Sequence, residues 1–147
     1  MSKRMKIAFG CYLLNTLNMA AGGVVYVLTT QFMPFHAIAV GKTWDQIDPA
    51  FQVLLLTFIR VIGGGVITVA LSMGILLFIP FRQGIRWARW AIPAIGIFYV
   101  LMAYLYPLLS VALNTSLTPP WGGAVSSMIL VVAGFILSLE SKKKDIA

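Results

Sequence analysis

From Pro49 to Pro80 the chain carries a single charge, Arg60, inside an apolar run that also holds a triple glycine, Gly63 to Gly65. A stretch this long and this apolar fits a helix that crosses a bilayer, whose hydrocarbon core takes about 20 residues at roughly 1.5 Å each. A guanidinium within such a helix costs at least about 2.5 kcal/mol at mid-bilayer. Arg60 therefore calls for a partner, a route to the headgroups, or a function.

Composition points the same way. Hydrophobic residues make up 60% of 147 and charged residues 10%, a balance foreign to ordinary soluble domains. The formal charge of +7 is gathered in short clusters at the ends of apolar runs, so it reads as a topology signal and implies no nucleic-acid partner. One cysteine, Cys11, allows no internal disulfide and no cysteine-based metal cluster, and it sits in an apolar helix as a packing residue.

Four spans are expected, at about 7–31, 49–80, 90–113 and 120–139, within one integral membrane domain covering 1–147. On the first, Cys11, Asn15, Asn18, Gly22, Tyr26 and Thr29 share one sector and Leu13, Leu17, Val24 and Leu28 the opposite one. Residues 32–48 form a polar outer loop with Phe32, Phe35 and Trp44 at headgroup level. Asp48 then caps, and Pro49 opens, the second span. Pro93 and Pro107 can bend the third, where Tyr99, Tyr106 and Ser110 fall in one sector. The fourth places Gly123, Ser127, Gly134 and Ser138 on one side, a spacing that marks close helix contact.

Lys3, Arg4 and Lys6, then Arg82, Arg86 and Arg89, then Lys142, Lys143 and Lys144 alternate with segments that hold only Lys42 and Arg60. With four spans the three clusters share a side, and the positive-inside rule puts that side, with both termini, in the cytoplasm. The expected fold is an all-α membrane protein, a four-helix transmembrane bundle.

Placing the polar sectors at their depths brings Tyr26, Arg60, Tyr106, Ser110 and Ser127 into the outer half, with Asn15 and Asn18 deeper. Thr57, Gly63 and Gly64 are taken to share the sector of Arg60, which would turn the guanidinium inward. There, ringed by hydroxyls, it could hold a carboxylate or phosphate headgroup while a tail lies along apolar helix faces. The competing reading is that Arg60 snorkels outward or pairs with Asp45 or Asp48. His36 is the sole histidine, so no bis-histidine haem fits one chain, and no residue set has metal-ligand spacing. No cofactor is expected. Gly22–Gly23 and Gly63–Gly64–Gly65 lie near matching depths and suggest a close crossing of the first two spans, by packing or with a ligand slot between them.

The segments FMPFHAIAVG, IRVIGGG and IPFRQGIRWARWAIP resemble patterns in uncharacterised small bacterial four-helix integral membrane proteins. The likeness covers about Phe32 to Pro93 and supports the topology only, with no activity to carry over; the expected location is a bacterial inner membrane.

The functional expectation is a non-catalytic membrane protein that binds a lipid-like or amphipathic anionic molecule around Arg60, or an accessory subunit of a membrane complex. Membrane lipids, further copies of the chain or a larger complex are the expected partners. Two alternatives stay open: an oligomeric channel or small-solute transporter, and a membrane enzyme acting on a lipid with His36 and Asp45 at the outer surface.

Overall fold

The computed structural model describes residues 1–115 and 118–139, which are mostly helical with no strand among them. Helix α1 runs Lys3–Leu28, α2 Pro34–Val40, α3 Pro49–Leu76, α4 Ala88–Tyr99, α5 Tyr106–Asn114 and α6 Gly122–Leu139. A π-helical segment, Leu77–Phe81, extends α3, and another, Val100–Leu105, joins α4 to α5. Four continuous helices, Lys3–Leu28, Pro49–Phe81, Ala88–Asn114 and Gly122–Leu139, are long and apolar enough to cross a membrane, the architecture of a membrane protein.

The boundaries have local causes. The Ser2 hydroxyl accepts from the Met5 N–H at 3.3 Å, so α1 starts within the basic segment rather than after it. It ends at Leu28, short of the expected 31, because Thr29 turns extended and donates its hydroxyl to the Gln31 carbonyl at 2.6 Å. Asp48 accepts from the Ala50 N–H at 2.9 Å with Pro49 in the first turn, as expected for the start of α3. Both π segments lie at a proline, Pro80 or Pro107, which has no N–H for the carbonyl four residues back. Tyr106 bonds instead to the Leu101 carbonyl, five residues back.

Packing runs α3 to α1 to α6 to α4, with α1 the central helix. The α1–α3 crossing is made by Gly23 and Gly63: a Cβ on Gly63 would lie 2.8 Å from the Gly23 carbonyl oxygen and 2.8 Å from the Tyr26 Cβ. A Cβ on Gly23 would meet Ile67 at 2.8 Å, so the two helices are antiparallel. Their neighbours Gly22, Gly64 and Gly65 face open space. On α6, Gly134 receives the Tyr12 ring and leaves 2.8 Å between a would-be Cβ and the ring edge.

The core lies at one end, where Met5, Ala8, Tyr12, Met73, Leu77, Phe81, Ala88 and Ile92 are buried together. Tyr12 meets Phe81 edge to face with centroids 5.6 Å apart. Its hydroxyl approaches Ser138 but completes no hydrogen bond. This end carries two of the basic clusters, Lys3–Lys6 and Arg82–Arg89. The third, Lys142 to Lys144, lies outside the described residues.

Candidate functional site

At the opposite end the bundle is open. Neither α2 nor α5 buries a residue. Between the last turns of α1, the first half of α3 and the α4–α5 helix lies a cavity of about 560 Å³, with α2 along one side and Thr118 to Pro120 along another. Its size falls in the range of small-molecule sites. Gly22 on α1 and Ala103 on the π segment are among its walls, where larger side chains would fill it.

The outer segment that flanks it is folded rather than a plain loop. Gln52 of α3 donates to the Trp44 carbonyl at 2.9 Å and the Ile47 carbonyl at 3.2 Å, tying a 3₁₀ turn, Trp44–Gln46, to the helix. Trp44 meets the buried Phe32 edge to face at 5.0 Å. Pro34 opens α2, and the Met33 N–H donates to His36 Nδ1 at 3.3 Å. This places the imidazole on the cavity wall against Phe35, centroids 4.1 Å apart, and Tyr26, at 6.2 Å. Burial penalises the imidazolium and holds the His36 pKa below its ordinary value.

Across the cavity Tyr99 and Tyr104 meet edge to face at 5.7 Å, with Tyr26 within electrostatic reach of both. The Tyr104 ring rests on Gly123 of α6, 3.5 Å from where a Cβ would stand. Apart from Thr118, most of the remaining wall is aliphatic, from Ile38, Ile62, Val66, Leu108 and Val111. Among the described residues, no Lys, Arg, Asp or Glu belongs to it.

The seven residues expected at one site are divided among three places. Tyr26 lines the cavity. Asn15 and Ser127 are buried deeper: the Ser127 hydroxyl donates to Asn15 Oδ1, and Asn15 Nδ2 donates to the Met19 sulfur at 3.5 Å, joining α6 to α1. Asn18, Arg60, Tyr106 and Ser110 are exposed on the bundle surface, Tyr106 at 71%. Arg60 makes no hydrogen bond or ion pair with any described residue. Since Gly63 lies beside Tyr26 and Val27 in an antiparallel pair, Arg60 is about 4.5 Å further out, level with the last turn of α1.

The inward turn expected of Arg60 is corrected by the glycine contact. The closest approach is at Gly63, so the inner face of α3 carries Ile59, Gly63, Ala70 and Met73, and Arg60 falls on its flank with Thr57. The stripe of Tyr99, Tyr106 and Ser110 is also corrected. The π segment adds a residue per turn between them and rotates the helix beyond it by roughly 100°, taking Tyr106 and Ser110 away from Tyr99.

No family profile, curated protein or solved structure matches the chain. The sequence resemblance to small four-helix membrane proteins therefore rests on the four spans alone. Phe35, His36, Tyr99 and Tyr104 are the cavity residues that the expected site lacked. A usable signal was present in Pro34 and His36, an opening proline followed by a side chain able to bond back to the start of a short helix.

Proposed function

We propose that the protein is a non-catalytic membrane protein that holds a lipid-like or amphipathic molecule in the cavity between Tyr26, His36 and Tyr104. The observation that carries this reading is a mainly apolar chamber of about 560 Å³ with a few polar groups on one wall, at the end of the bundle opposite the basic clusters. By the positive-inside rule the basic end faces the cytoplasm and the cavity the outer leaflet of a bacterial inner membrane. Because Arg60 is not among the lining residues, the anionic group assigned to the molecule from the sequence loses its support. The bond from Met33 to His36 gives that imidazole no carboxylate partner, which favours binding over a general-base role with Asp45.

Native mass spectrometry of the chain purified from membranes in mild detergent tests the proposal. Wild type should retain a small molecule that Ala103→Trp, which fills the cavity, releases. Equal retention by both would overturn it.

A second reading, packing against another membrane chain, is favoured by a strip on the uncovered face of α3. Arg60, Gly64, Thr68 and Ser72 follow at four-residue spacing, exposed except for the half-buried Gly64. The two hydroxyls are bonded within the helix, to the Gly64 and Thr68 carbonyls at 2.9 Å each. Such a strip lets a partner helix approach closely. Disulfide cross-linking of Thr68→Cys in membranes should trap a second copy if the protein self-associates, and monomer alone would remove the homo-oligomer.

A further inference from the structure

The polar wall of the cavity specifies more than an apolar guest. His36 Nδ1 accepts the Met33 N–H, so the neutral ring must carry its proton on Nε2. That N–H bonds to no described residue, and the ring lies on the cavity wall. Tyr26, Tyr99 and Tyr104 add phenol groups to the same chamber. The inventory is therefore one fixed donor and four hydroxyls, those of the three tyrosines and Thr118, with Tyr99 and Tyr104 within bonding reach of each other; among the described lining residues there is no cation to neutralise an anion and no carboxylate to receive an ammonium. In a chamber of low polarity an unpaired charge is expelled, whereas an uncharged acceptor satisfies the donors.

We infer that the cavity selects amphiphiles whose polar end is an uncharged oxygen acceptor, an ester or ketone carbonyl, received by His36 Nε2–H and the phenols of Tyr99 and Tyr104. This rests on the binding role proposed above and names the chemical class of the guest. Carboxylate and phosphate headgroups, which the sequence led one to expect at Arg60, are the wrong class for this chamber. Imidazolium would add a like charge against any cationic guest and would cancel the acceptor at Nδ1, so the neutral ring is the selecting form. The groups facing it are Tyr26 from α1 and, across the cavity, Tyr99 and Tyr104, with no carboxylate among the described lining residues.

The test uses the full chain in phosphatidylcholine nanodiscs at about pH 9, where the imidazole is neutral and fatty carboxylates are ionised. Four probes of one chain length, dodecane, methyl dodecanoate, dodecanoate and dodecylammonium, are doped in, and the mole fraction giving half-maximal rise in the unfolding midpoint is read for each. Methyl dodecanoate should half-saturate at a mole fraction at least fivefold below that of dodecane, and both ions should bind more weakly than the ester. Tyr104→Phe keeps the ring and removes the hydroxyl, and His36→Phe removes the imidazole donor. Each should bring the ester-to-dodecane ratio within about twofold of one. Dodecanoate binding most tightly, or an ester-to-dodecane ratio unaltered in both variants, would overturn the inference while leaving a cavity that binds. Failure of all four probes, dodecane included, would overturn the binding role itself and this inference with it.

Discussion

The two ends of the bundle use similar residues to opposite effect. At the basic end Tyr12 and Phe81 are fully buried, and Gly134 is flat enough to accept a tyrosine ring. At the far end Tyr26, Tyr99 and Tyr104 stand around an opening, and Gly22 is empty space beside it. The difference lies in the backbone. Through Ile92 and Gly96, α4 stays in register with α6 and meets Val131 closely. Past Tyr99, the π segment ahead of Pro107 rotates the rest of the helix, and α5 buries nothing. One end is closed by complementarity, and the other is held open by a change of helical pitch.

Adjacent glycines on the packed and the open faces should respond in opposite ways. Gly63→Leu should have the largest effect, a loss of at least about 3 kcal/mol, because even its Cβ would lie 2.8 Å from the Gly23 carbonyl oxygen. Reversible unfolding in mixed micelles would measure it. Gly134→Ala should cost about 2 kcal/mol, since its Cβ would meet the Tyr12 ring at 2.8 Å. Gly22→Ala and Gly64→Ala, one residue from the crossing pair and facing open space, should instead be neutral or stabilising by up to about 1 kcal/mol. A loss at Gly22 equal to that at Gly23→Ala would dissolve the distinction between the packed face and the open one.

Smaller effects sharpen it. Asn15→Ala removes the bond from Ser127, and interhelical hydrogen bonds of this kind contribute roughly 0.6 kcal/mol on average in membranes, so a loss of about 1 kcal/mol or less is expected in the same assay. The smallest concerns His36. Its folded-state pKa is lowered by burial, so the unfolded chain binds the proton more readily, and stability should fall as pH drops through the unfolded value of about 6.5. His36→Gln should flatten that slope when unfolding is followed from about pH 8 to about pH 5.

The four spans were legible because each is an apolar run of bilayer length. The start of α3 was legible in Asp48–Pro49, and the close crossing in two glycine clusters, of which Gly23 and Gly63 make the contact. Asn15 and Ser127 could be turned inward from their sectors, but not paired, since pairing depends on how α1 and α6 are rotated against each other. The orientation of Arg60 was beyond reach for a similar reason. A residue three positions from Gly63 falls inside or outside according to which atom of the glycine cluster makes the contact, a choice fixed only by α1. The polar stripe of the third span failed because a wheel assumes one pitch throughout, and Pro107 changes it at Val100–Leu105. His36 looked like a surface group because residues 32–48 gave no sign of folding against α3, which they do through Gln52.

A guest held at the end of the bundle away from the basic clusters would be the direct sign of the proposed binding role. Electron cryo-microscopy of the chain purified from membranes, enlarged by a rigid antibody fragment, would test it most directly. Continuous non-protein density between Tyr26 of α1 and Tyr104 of the π segment, with the Arg60 side chain outside it, is the expected result. Tyr26 and Tyr104 in direct contact, with α5 packed onto α3 and no space between them, would contradict it.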